Sequence, residues 1–248
     1  MRARRAFAVF GLALAALAPL SAVALARKEP PKARSTGLIR ATAKPRAARV
    51  ERREPAPVAS PFAALPSVRL ANLNTREALD LKLYDAEGRV DPESARKLDA
   101  LLVDARDPDN IAQTELDRRT LQLLFRAAYH FKASNVEVVS AYRKPGRRRE
   151  GLHAQGRAID FKLPGVPAAT LASYLRTLPR VGVGVYTHPR TQYVHLDVRE
   201  QSFHWLDASP PGRRWRERSL KDPRLAARDA SYHESMDLPE SCVRSVAR

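Results

Sequence analysis

Two histidines and two aspartates stand in this chain at spacings that suit a metal ion. His153 and Asp160 bracket the run His153-Ala-Gln-Gly-Arg-Ala-Ile-Asp160, and His195 and Asp197 follow in Tyr193-Val-His195-Leu-Asp197-Val. Imidazole nitrogen and carboxylate oxygen are zinc donors. Three such ligands leave a fourth position for water, as in catalytic zinc sites, whereas structural sites fill all four positions with protein. A thiolate site is excluded, because Cys242 is the only cysteine. A lone histidine would carry little weight. The joint pattern, with each residue on a compatible element, points to His153, Asp160 and His195 as ligands. Zn2+ held this way would activate a water and polarise a carbonyl, which is metal-assisted hydrolysis.

Such chemistry needs a proton acceptor. Alternation along a strand puts Asp197 on the same face as His195, about 6.6 Å away along the backbone. It is either the general base or a partner that orients His195 by a hydrogen bond. His188, on the turn before that strand, is a second candidate base. Arg143 carries a planar fork suited to a substrate carboxylate, and an ordinary ion pair is the competing reading. Tyr142 and Tyr186, with Tyr193, line a substrate cleft or simply pack.

The elements that must position these groups are legible in outline. Val68, Leu70 and Leu73, then Leu79, Leu81 and Leu83, alternate on either side of Asn74-Thr75-Arg76-Glu77, which predicts a hairpin. Asp91 as N-cap with Pro92 at the first helical position predicts a helix. A second helix is expected over about 114–131, and a third opens at Pro167. Strands are expected at 136–140, 157–163, 181–186 and 193–198. Gly156 allows a tight turn that folds His153 over the strand bearing Asp160. The order of elements implies an α+β domain, with helices packed on one side of a small antiparallel sheet that carries the metal site.

The flanks differ from this middle. Arg2, Arg4 and Arg5, the apolar run from Ala6 to Leu20 and Ala24-Leu25-Ala26 have the form of an export signal over 1–26. The apolar run is short for a membrane span, which needs about 20 residues. Arg4-Arg5 also fits a twin-arginine route as well as the general one. Residues 27–66, rich in Pro, Ala, Arg and Lys, predict a disordered basic tether. The zinc domain is then expected at 67–207 and a loose basic tail at 208–248. The net charge of +17 would suit anionic cell-wall polymers. An exported chain argues against nucleic acid as partner and places the protein in a periplasm or cell wall. Ser94-Ala-Arg-Lys97 matches a Ser-x-x-Lys nucleophile motif, but the Ser-Asp-Asn and Lys-Thr-Gly partners are missing.

From about Val68 to Trp205 the chain resembles the LAS-type metallopeptidases, the group of the D-Ala-D-Ala metallopeptidases and the hedgehog signalling domain. The resemblance rests on His153-x6-Asp160 with a later His195, on Asn72-Leu-Asn-Thr-Arg-Glu77, Tyr84-Asp-Ala-Glu-Gly88 and Ser140-Ala-Tyr-Arg143, and on the strand of His195 and Asp197. Within the group the chain is similar to the YcbK branch, the relatives of murein endopeptidase K. The resemblance implies a hedgehog-like fold, with zinc on His153, Asp160 and His195. It also implies an exported peptidoglycan peptidase that cuts cross-links between stem peptides as an endopeptidase, or trims them as a carboxypeptidase. By the same likeness Arg143 matches the arginine of the family's Ser-Gly-Tyr-Arg segment. Gly151-Leu152-His153 replaces the usual Ser-x-His, the loop after Arg143 is short and basic (Arg147, Arg148, Arg149), and Gln192 stands where carboxypeptidase-like relatives place a glutamate. That last departure keeps a non-catalytic zinc module, binding cell wall or a partner, as the alternative.

Overall fold

Alternating apolar residues build one sheet. Among the residues described by the computed structural model (59–104, 115–144, 151–213 and 217–246), it has eight strands. These are β1 (Val68–Asn72), β2 (Ala78–Leu81), β3 (Asn135–Ser140), β4 (Ala158–Lys162), β5 (Val181–Tyr186), β6 (Val194–Val198), β7 (Phe203–Asp207) and β8 (Glu217–Ser219). Their order across the sheet is β2-β1-β3-β4-β6-β5-β7-β8. The architecture is α+β, but the sheet is neither small nor purely antiparallel: β1 runs parallel to β3, and β5 parallel to β7. Parallel neighbours are joined by long crossovers, so no local spacing announces them. The expected export segment 1–26, most of the tether, and Arg147, Arg148 and Arg149 lie outside the described residues.

Helices α1 (Pro92–Leu101), α2 (Arg118–His130) and α3 (Ala168–Leu175) pack on the sheet. Asp91 caps α1 by accepting the Ser94 N–H at 2.8 Å, as its sequence position requires. The second helix begins four residues later than expected because Asp117 caps it, accepting Arg119 N–H at 2.9 Å and Thr120 N–H at 3.2 Å. Val136 and Val138, Ile159 and Phe161, Val181 and Val183, and Val194 and Leu196 join the core with Leu121, Leu124, Phe125 and Leu171. Full burial of each large side chain contributes about 1.5–3 kcal/mol. That apolar face anchors the sheet and leaves the opposite face for Asp160, His195 and Asp197.

Both expected domain boundaries move outward. Phe62 and Leu65 belong to the core, and the Phe62 ring packs 5.6 Å from that of Tyr84. Gly88, at φ 83°, makes room for it: a Cβ there would lie 2.5 Å from the Phe62 ring. The C-terminal segment, expected to be loose, instead adds β8 to the sheet edge and folds into α4 (Leu225–Ala230), a 3-10 turn (Glu234–Asp237) and α5 (Glu240–Val246). Cys242 joins the core and Leu220 and Leu238 pack against it, and long-range polar bonds fasten the rest. Arg119 meets Asp237 at 2.9 Å, and Arg126 donates to the Leu238 carbonyl at 2.8 Å. Arg228 donates to the Arg176 carbonyl at 2.8 Å. These partners lie far apart in sequence, so no hydrophobic period reveals the packing.

Candidate metal centre

The sheet register brings Asp160 and His195 together. On β4 and β6 these residues are direct cross-strand partners, and Ala158 faces Asp197. Cross-strand Cβ atoms lie about 4.5–5.5 Å apart, close enough for both side chains to reach one point. His153 arrives from a turn. Gly156 takes φ 68° there, and a Cβ on it would lie 2.2 Å from the Glu115 carbonyl oxygen. The Gly156 carbonyl accepts the Asp117 N–H at 2.9 Å, so the turn is fastened to the start of α2. Arg143 N–H in turn donates to the His153 carbonyl at 3.3 Å.

Three donor atoms converge as a result. His153 Nε2 lies 3.2 Å from His195 Nδ1, which lies 2.8 Å from Asp160 Oδ1. His153 Nε2 and Asp160 Oδ1 are 3.5 Å apart. Zinc bonds of about 2.0–2.2 Å correspond to tetrahedral edges of about 3.3–3.6 Å, so the spacing suits one ion. Among the described residues, His153, Asp160 and His195 are the group fit to hold a metal.

The far side of each ligand is already engaged. His153 Nδ1–H donates to the Ala141 carbonyl at 2.6 Å, which leaves Nε2 as a lone pair. His195 Nε2–H donates to Asp197 Oδ2 at 2.9 Å, leaving Nδ1 as the lone pair. Asp160 Oδ2 accepts from Arg143, whose Nε–H donates to Ser140 Oγ at 2.8 Å. In this tautomeric arrangement three acceptors face one another with no hydrogen between them, and a cation relieves their repulsion. Without an ion a proton can fill this space instead: burial opposes charge on Asp160, but a proton shared with His153 and His195 outweighs it and holds the carboxyl well below the usual range. Burial likewise disfavours charged His195, yet Asp160 and Asp197 raise it to about 9. The pocket draws positive charge.

Asp197 is fully buried. Arg199 closes on it from the other side, with Nε 2.5 Å from Oδ1 and Nη2 on Oδ2. Desolvation would raise its carboxyl, but His195 and Arg199 lower it. Two glycines of β5 provide the space. A Cβ on Gly182 would lie 2.2 Å from Asp197 Oδ2, and one on Gly184 would lie 2.3 Å from the Trp205 ring. Trp205 thereby leans to within 5.0 Å of the His195 ring. The pattern Val181-Gly-Val-Gly-Val185 held this signal: valines for the core and glycines beneath the site.

Beside the centre lies a cleft of about 470 Å³ lined by Arg143, Tyr186, Thr191, Tyr193, Asp207 and the 209–213 loop. Tyr186 and Tyr193 stack there with centroids 4.4 Å apart, and burial raises the Tyr193 phenol, which therefore stays a neutral donor. Tyr142, expected at the cleft, is instead buried at 8% exposure and outside its lining. His188 remains on the β5–β6 turn, where Nδ1 accepts the Arg190 N–H at 3.2 Å, outside the converging group. Asp207 was missed from sequence, since nothing local distinguishes it from a surface aspartate.

An α+β sheet thus carries a His–Asp–His group fit to hold a metal beside a cleft, and comparison with known proteins narrows what such a site serves. The chain belongs to the M15-type peptidase family described as peptidoglycan L,D-endopeptidase MepK, whose model matches residues 62–205. It is 30% identical over 140 residues to the probable peptidoglycan L,D-endopeptidase MepK of Haemophilus influenzae, covering 51% of this chain and 72% of that one. It is 28% identical over 149 residues to the peptidoglycan L,D-endopeptidase MepK of Escherichia coli K12, covering 55% and 78%. No solved structure matches it significantly.

Proposed function

We propose that the protein is an exported zinc-dependent peptidase that hydrolyses peptide cross-links of peptidoglycan as an L,D-endopeptidase. The observation that carries the metal is the convergence of three lone pairs whose opposite ends are each held by the protein. His153, Asp160 and His195 would hold Zn2+, which when bound supplies an activated water and a polarised carbonyl. Family membership and the named relatives carry the substrate class.

The remaining residues divide the work. Asp197 acts by orienting His195 rather than as the base, because both its oxygens are taken up by His195 and Arg199. Arg143 anchors Asp160 with one edge of its guanidinium while lining the cleft, where its outer edge can receive a carboxylate of the stem peptide. Tyr186 and Tyr193 form the aromatic wall along which the peptide lies. Residues 1–26 direct export, and the basic flanks hold the enzyme near an anionic polymer.

Purified protein incubated with murein sacculi should release muropeptides cut at L,D bonds, as read by mass analysis. Chelation should stop this and zinc should restore it, and His153→Ala should be inactive. Binding to sacculi without any product from the wild type would instead establish the non-catalytic wall-binding module.

A further inference from the structure

The cleft holds a carboxylate that hydrolysis does not use. Asp207 ends β7 and is 3% exposed, yet it lines the cleft with Arg143, Tyr186 and Tyr193. Its Oδ1 accepts the Ser209 N–H at 2.7 Å. Among the described residues it forms no ion pair, although Arg213 lines the same cleft. Burying a carboxylate without a cation is costly, and a cation arriving with a ligand would offset that cost.

Register sets its distance from the metal ligands. Gly184 lies opposite both His195 and Trp205, and Tyr186 lies opposite Asp207. Asp207 is therefore two strands across and two residues along from His195, about 9.6 Å by 6.6 Å, or ~12 Å between Cα atoms. That is too far to take a proton from water beside the ligands. It suits a side chain a few residues along an extended peptide, at about 3.3 Å per residue. The residue lies just beyond position 205, where the family match ends.

We propose that Asp207 is the anionic half of a zwitterion-binding subsite, taking a free ammonium group of the stem peptide while Arg143 takes a nearby carboxylate. The preferred substrate then carries a diamino-acid residue whose amine is unmodified, and modification of that amine is a way for the wall to resist cleavage. Charge-assisted bonds to a primary amine are lost on acetylation, which removes both the charge and two donors. The inference rests on the peptidase reading for its substrate, but binding tests it separately from turnover.

The probes are a muramyl tripeptide ending in a diamino-dicarboxylic acid and the same peptide acetylated on its free amine. Their affinities are measured by calorimetry on zinc-loaded full-length protein, wild type and Asp207→Asn, which keeps the Oδ1 acceptor for Ser209. Acetylation should weaken wild-type binding about tenfold and Asp207→Asn binding less than about twofold, as expected for loss of one charge-assisted bond. Equal affinity of the wild type for both peptides, binding of neither, or the same loss in both proteins overturns the proposal. Wild-type discrimination needs no variant, so a misfolded Asp207→Asn would not shield the idea. Discrimination without hydrolysis of any wall peptide would support the subsite and remove the peptidase reading.

Discussion

Asp160 and Asp229 are both buried carboxylates, and they do opposite work. Asp229 in α4 accepts the Arg180 N–H at 2.6 Å, the Ser202 N–H at 2.7 Å and the Ser202 hydroxyl at 2.6 Å. Every neighbour is a donor, so the group is satisfied by the chain itself. It also holds Arg180 at φ 53°, a left-handed conformation that costs a non-glycine residue about 1–3 kcal/mol. Asp160 instead aims one oxygen at two ring nitrogens whose protons are engaged elsewhere. A buried acid ringed by donors is a fastening. One ringed by lone pairs is a place for a cation.

The contrast is broken most severely at the ligands. His195→Ala should abolish stoichiometric zinc in metal analysis and lower wall-peptide hydrolysis by on the order of a thousandfold. Retention of metal and activity would remove the proposed centre. Asp229→Ala should do the reverse, costing about 3 kcal/mol in denaturant unfolding while the folded fraction still binds one zinc. A metal-depleted but equally stable Asp229→Ala protein would show that the two regions are not separable.

Asp197→Asn sharpens the assignment of Asp197 as an orienting group. Zinc affinity should fall about 10–100-fold in competition with a chelator. Unchanged affinity with lost turnover would return Asp197 to the role of base.

The smallest expected effect concerns His204, on the core side of β7 and 1% exposed. Burial, followed by the charges of Arg176 and Arg228, lowers its pKa to about 4. Its Nε2 is buried without a partner. The unfolded state therefore binds a proton more readily, so this contribution to stability is full above the unfolded value near 6.5 and is lost as pH falls toward 4. By about pH 5.5 the loss amounts to about 1.4 kcal/mol. Melting curves of the wild type should show this acid loss and those of His204→Gln should not. Parallel curves for the two proteins would contradict it.

Much of the centre was legible because its residues declare themselves by type and period. His153 with Gly156, Asp160 on one face of its strand, and His195 two residues from Asp197 all sit as the spacing implied. The helix caps at Asp91 and Pro92 did too. The C-terminal attachment was not legible, because Arg119, Arg126 and Arg228 reach partners 52 to 118 residues away through polar bonds that leave no apolar stripe. Tyr142 failed as a cleft residue for a related reason: position in a motif does not say which way a side chain turns.

By itself the sequence determined the donor set and the elements that bear it, since periodicity and turn chemistry act over a few residues. Tertiary structure decided what each donor faces. Cross-strand register joined Asp160 to His195, the glycines of β5 let Asp197 and Trp205 lie across it, and the parallel arrival of β7 carried Asp207 into the cleft. Those contacts depend on strands far apart in the chain, where only packing of the whole sheet sets the distance.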